Sequence, residues 1–124
     1  MEYRELGRTG LNVSALTLGT MTFGEQNTEA EGHEQMDYAL DRGINFFDAA
    51  EIYPIPPKAV TQGATEEIIG TWLTSRKARD KVLIATKVAG RSSVIDWLRH
   101  KPILSRHTPE QMREALEASL KRLR

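Results

Sequence analysis

Gly43-Ile44-Asn45-Phe46-Phe47-Asp48-Ala49-Ala50-Glu51-Ile52-Tyr53 is the stretch that decides the fold. It opens on a glycine suited to close a preceding helix. A short apolar run follows and stops at an acid, with a tyrosine five residues further on. Buried parallel strands read as continuous apolar runs rather than as alternating ones, so residues 44–48 predict a strand with Asp48 at its C-terminal end. The pattern recurs at Val82-Leu83-Ile84-Ala85-Thr86, which leads into Lys87. Ala15-Leu16-Thr17-Leu18-Gly19, closed by Thr20-Met21, predicts an earlier buried strand of the same kind. If the three strands are parallel, their C-terminal ends share one edge of a sheet. Asp48 and Lys87 then emerge side by side, with Tyr53 in the loop that leaves Asp48.

Helical segments separate these strands. Thr28-Glu29-Ala30-Glu31 has the form of a capping box, and the helix it starts carries Met36, Ala39 and Leu40 on one face and ends at Arg42. Residues 54–63 are proline-rich and exclude regular helix or an interior strand, so they form a long loop beyond Asp48. Glu66 and Glu67 begin a second helix, with Ile68, Ile69, Trp72 and Leu73 on its buried side. Acids at its start and Arg76, Lys77 and Arg79 at its end suit the helix dipole. Thr108-Pro109-Glu110-Gln111 is another N-terminal signal, and Met112, Leu116, Leu120 and Leu123 follow at helical intervals. Residues 88–107 have no clear period, although residues 94–99 are expected to add a turn or two of helix. Ahead of all this, segments 3–6 and 11–14 flank Gly7 and Gly10 and predict a small hairpin. A hairpin followed by three βα units places the chain in the α/β class, with a parallel sheet and right-handed crossovers.

With 124 residues, one domain spanning 1–124 is the natural count. Lys plus Arg balance Asp plus Glu, 17 against 17, so no field of one sign points to nucleic acid or to an anionic membrane. The absence of cysteine excludes disulfides, thiolate metal sites and a cysteine nucleophile. No apolar run approaches the ~20 residues of a membrane span, and no leader-like segment follows Met1; a cytoplasmic location is expected. Glu51 and Glu66 read as structural acids and Trp72 as core. Trp97 suits a pocket wall and a packing role equally. His33 reads as part of a solvated helix face. His100 and His107 flank a proline, with no acid or cysteine to complete a metal site.

An ammonium beside a phenol favours the phenolate, and a carboxylate bonded to that ammonium keeps it charged and oriented. Tyr53 in such a cluster can give or take a proton near neutral pH. That suits protonation of a carbonyl oxygen while hydride is delivered to carbon. Here the residues resemble a known family. Leu6-Gly7-Arg8-Thr9-Gly10-Leu11-Asn12-Val13-Ser14, Leu18-Gly19-Thr20-Met21, the 43–53 stretch and Thr86-Lys87 together look like the N-terminal part of an aldo-keto reductase. Residues 21–27, Tyr53-Pro54 and Gln62-Gly63-Ala64-Thr65-Glu66 resemble most its bacterial Tas-type branch.

The resemblance implies an NADP(H)-dependent reductase of aldehydes or ketones on a (β/α)8 TIM barrel. Tyr53 would be the general acid, tuned by Lys87 and Asp48. Gly19, Thr20, Met21, Gln26 and Asp48 would contact the nicotinamide half of the cofactor. The histidine that the family carries on its fourth strand has no counterpart here. A whole barrel takes ~250 residues and eight βα units, so three units predict an incomplete barrel, a fragment or truncated product inactive on its own. The expected partner is a small-molecule carbonyl substrate, not nucleic acid or membrane, with self-association through the exposed sheet edge. Two further readings stand beside this one: an NADP(H)-binding regulatory or scaffold module without turnover, and a chain with no independent function.

Overall fold

A computed structural model describes residues 1–124. Gly7 and Gly10 take positive φ angles of 62° and 73° in the tight connection they form. They let β1 (Tyr3–Glu5) fold back antiparallel on β2 (Asn12–Ser14), with Tyr3 opposite Ser14. The hairpin is clamped to the beginning of the next sheet. Ser14 N–H donates to Asn45 Oδ1 at 2.7 Å, Asn45 N–H donates to Ser14 Oγ at 3.1 Å, and the Asn45 amide donates to the Asn12 carbonyl at 3.1 Å. Since Asn45 precedes the strand that ends in Asp48, the hairpin occupies the end of the sheet opposite the chemistry.

Three strands form that sheet in the order β3 (Leu18–Gly19), β4 (Phe46–Asp48) and β5 (Leu83–Ala85), all parallel. Leu18, Phe47 and Ile84 lie in one row and Gly19, Asp48 and Ala85 in the next. Successive residues of a strand face opposite sides, so the first row turns to the helices and the second to the open face. Phe47 is fully buried, 5.5 Å from Trp72 ring to ring, in a core with Phe23, Met36 and Ile69. The strands are shorter than the apolar runs suggest, and the first differs in kind. Leu16 is 61% exposed and Ala15 and Thr17 are exposed too. β3 is an edge strand with no neighbour beyond it, so the expected buried run is a solvent-facing one.

Helix α1 (Glu29–Asp41) starts as expected: Thr28 Oγ1 accepts from Glu31 N–H at 3.3 Å, and the Glu31 carboxylate accepts from Thr28 N–H at 2.7 Å. Gly43 follows its end at φ 81°. Against α1 lies α2 (Ala64–Arg76), whose Ile68, Ile69, Trp72 and Leu73 are buried. The Trp72 indole N–H donates to Asp37 at 2.8 Å, and Asp37 also takes Arg76 at 2.9 Å. His33 is not on a solvated face. Its Nε2 lies 3.0 Å from Thr71 Oγ1 and 3.2 Å from the Ile68 carbonyl, wedged between the two helices.

After a 3-10 turn (Arg79–Lys81) and β5, the chain crosses residues 88–107 without regular structure; the expected turns at 94–99 are bends instead. Helix α3 (Pro109–Leu123) then packs on α2. The approach is closest at Gly70, where an added Cβ would fall 2.1 Å from the Arg122 carbonyl oxygen. The buried face of α3 is Gln111, Ala115 and Ser119, whereas Met112, Leu116 and Leu120 are 47%, 53% and 61% exposed. Three residues of the expected apolar stripe therefore face away from the core, whereas the fourth, Leu123, is partly buried and packs against it. No helix is long and apolar enough to cross a membrane.

Candidate active site

Strand register brings Asp48 to the C-terminal edge of the sheet, and the parallel ladder continues beyond it. Ala49 N–H donates to the Ala85 carbonyl at 2.8 Å and Glu51 N–H to the Lys87 carbonyl at 3.1 Å. This pairing sets Lys87 beside Asp48. Lys87 Nζ donates to Asp48 Oδ2 at 2.7 Å and to the Ala49 carbonyl at 2.8 Å. The same ammonium stands 4.9 Å from the centre of the Tyr53 ring, a cation–π distance. Tyr53 is held at the root of its loop by its N–H on the Ala50 carbonyl at 3.1 Å, and its carbonyl accepts from Gly63 N–H at 2.9 Å. Acid, phenol and amine meet at one edge, as the strand pattern required.

Partial burial works against the charge on Lys87 and is the largest single influence on it. The hydrogen bond and charge of Asp48, with Tyr53 adding to them, outweigh that effect and hold the amine above its usual 10.5. Lys87 is a cation at any neutral pH. Its side chain is 47% exposed and that of Asp48 41%, and an open ion pair adds little stability. Orientation of the ammonium is what the pair supplies.

The other residues expected at the site fall in two groups. Gly19 shares a row with Asp48, and a Cβ built on it would meet nothing within 4 Å, so the space above it is open. Met21 is half exposed, and its carbonyl accepts from Ile55 N–H at 2.9 Å. Gln26 is exposed in the turn that follows. Thr20 stands apart: it is fully buried, and its hydroxyl donates to the Asp48 carbonyl at 2.8 Å. Thr20 therefore braces Asp48 from behind. The 54–63 loop is strapped down beside these residues by the Ile55–Met21 bond and by a Lys58–Glu25 ion pair.

Beneath the open edge lie two buried acids whose partners no local pattern of residues marks. Glu51 receives both Nη atoms of Arg99 at 2.8 Å and Ala89 N–H at 2.7 Å. Glu66 receives Thr86 Oγ1 at 2.6 Å and Arg122 Nε at 2.7 Å. Both acids are buried and fully paired, and neither side chain reaches the open edge. Arg99 lies in the aperiodic 88–107 segment and Arg122 in the last turn of α3, and neither position carries a local signal. Trp97 is partly buried in that same segment.

Residues 15–124 match the model of the aldo/keto reductase family. Protein tas of Escherichia coli K12 is 50% identical over 124 residues, which are 99% of this chain and 35% of that protein. An uncharacterized oxidoreductase of Bacillus subtilis, YrpG, is 47% identical over 125 residues, 99% of this chain and 36% of its own. Among solved structures, an aldo-keto reductase of Bacillus halodurans in its holo form aligns with a TM-score of 0.74 at 32% identity. That alignment covers 99% of this chain and 36% of the other. The chain spans about a third of the length of the curated relatives it matches.

Proposed function

The chain belongs to the aldo/keto reductase family, and is most like its Tas-type members. From that premise we propose that Asp48, Lys87 and Tyr53 are the acid–base centre of an NADP(H)-dependent oxidoreductase acting on an aldehyde or ketone. The observation that carries the reading is the Lys87 ammonium, bonded to Asp48 at 2.7 Å and poised 4.9 Å above the Tyr53 ring.

In this reading the Tyr53 hydroxyl gives its proton to the carbonyl oxygen as that oxygen becomes an alkoxide. The phenolate left behind faces a permanent cation, which offsets its charge where water is partly excluded. Asp48 keeps Lys87 from turning to solvent, and Thr20 keeps Asp48 in place. In the reverse direction the same phenolate takes the proton of an alcohol. A reduced nicotinamide, when bound, would supply the hydride. Its nicotinamide end would be held by Gly19, which leaves open space, Met21, which offers an apolar side chain, and Asp48 and Gln26, which offer carboxylate and amide groups. The substrate is a small carbonyl compound. We also propose that this chain associates with itself through the open strands β3 and β5, which have no neighbour on their outer edges.

NADPH-dependent turnover of a simple aldehyde by the whole protein tests the acid. Tyr53→Phe keeps the ring and removes the proton, and turnover is expected to fall about 100-fold or more. Undiminished turnover would withdraw the role given to Tyr53.

A further inference from the structure

Glu51 sits between Asp48 and Tyr53 in the chain, yet its side chain is only 2% exposed and takes no part in the open edge. Arg99 grips it with both Nη atoms at 2.8 Å, and Oε1 also accepts Ala89 N–H at 2.7 Å. Its own N–H donates to the Lys87 carbonyl at 3.1 Å, and its carbonyl accepts from the Gln62 side chain. One residue thus holds the chain on Lys87 itself and again two residues later. Three residues back it adjoins Asp48, and two residues on lies Tyr53.

The Arg99 side chain is 1% exposed. Its Nε has no acceptor, and the one other approach, Nη1 to the Leu98 carbonyl, is a long 3.4 Å. The direction of the guanidinium is therefore set by Glu51. A planar fork on a carboxylate fixes angle as well as distance, and without competing water the bonds hold firmly.

Resting on the reading of Lys87 and Tyr53 as the acid–base pair, we infer that the buried Glu51–Arg99 pair is their positioning device. It sets the exit of β5 against the exit of β4, so that the ammonium stands over the phenol ring. Neither residue touches the reacting atoms; they act through Lys87 and Tyr53. A misplacement near 1 Å at a reacting centre costs about 100-fold in rate, so the alignment is where this pair exerts its effect. A purely structural pair would change stability and leave that alignment alone.

The test reads the alignment without requiring turnover. Protons on the ε-carbon of Lys87 lie near the Tyr53 ring, and its ring current displaces their NMR resonance; Tyr53→Leu defines the undisplaced position. Glu51→Gln retains an acceptor for Ala89 but removes the charge that Arg99 grips. Arg99→Lys retains the charge and removes the fork. In either variant the displacement is expected to drop by more than half, while the amide resonances of α1 and α2 keep their dispersion. In the whole protein kcat should fall about 10- to 100-fold, with the KM for the carbonyl within about threefold.

A displacement as large as in the unaltered chain overturns the inference, as does loss of folding in both variants, which would make the pair a stability element. An unchanged kcat in a protein that depends on Tyr53 overturns it as well. If Tyr53→Phe itself leaves turnover untouched, the acid assignment falls, and the resonance displacement still decides the positioning.

Discussion

Asp37 shows at the residue scale how a half-exposed acid is tied to the core through the buried Trp72. Its carboxylate is held below the usual 3.8 first by the Arg76 hydrogen bond, then, against partial desolvation, by the Trp72 indole N–H. The charged form is the one the fold favours. Its contribution is therefore fully present above pH 3.8 and is lost as pH falls through the lower folded value, where the unfolded chain has already bound the proton. Asp37→Asn keeps an acceptor for Trp72 and removes the titration, so urea unfolding below pH 3.8 should show a shallower acid loss than the unaltered chain. Equal slopes would assign that loss to other carboxylates. The residues that were legible from sequence were those with a local rule behind them. Asp48 and Lys87 each end an apolar run, and Tyr53 follows at loop distance. Arg99 and Arg122 obey no such rule, because their acids are 48 and 56 residues away in the chain.

Among the elements, two helix starts were readable because capping is chemistry within four residues: Thr28 with Glu31, and Thr108 Oγ1 accepting from Gln111 N–H at 3.3 Å. Helix α2 starts at Ala64, ahead of the expected Glu66, behind Gly63 with no side-chain cap. What a helix faces is a different matter. The spacing of Met112, Leu116 and Leu120 announces a stripe, but a stripe does not name its partner. The buried positions of α3 are Gln111, Ala115 and Ser119, and α2 meets its last turn where Gly70 lies against the Arg122 and Leu123 backbone and Glu66 takes Arg122. Two substitutions separate the faces. Leu116→Ala, at a site 53% exposed, should change unfolding stability by less than about 0.5 kcal/mol. Ala115→Leu, at a site 1% exposed, should cost about 1–3 kcal/mol through overpacking. Denaturant midpoints measure both, and the reverse order would mean that α3 is rotated from the orientation described. His33 was misjudged for a related reason: one helix viewed alone does not reveal that a second one covers it.

For the molecule as a whole, three parallel strands covered by helices on one side leave a second face and two outer edges open. Sequence pattern predicted that the strands run parallel, because apolar runs alternating with helices admit few topologies. It overestimated the burial of the first strand, because burial depends on a neighbour that the pattern of residues 15–19 does not contain. Open edges predict concentration-dependent association, which sedimentation velocity over a hundredfold range of concentration would detect; a single monomeric boundary throughout would remove the proposal. The central claim is that strands β4 and β5 deliver Asp48, Tyr53 and Lys87 as one working unit. The most direct measurement is a double-mutant cycle on hydride transfer in the whole protein, with Tyr53→Phe, Lys87→Met and both together. Groups that act as a unit are strongly non-additive, so the double variant should be no slower than about twofold below the worse single one. Losses that multiply would show the two side chains working independently, and would contradict the account.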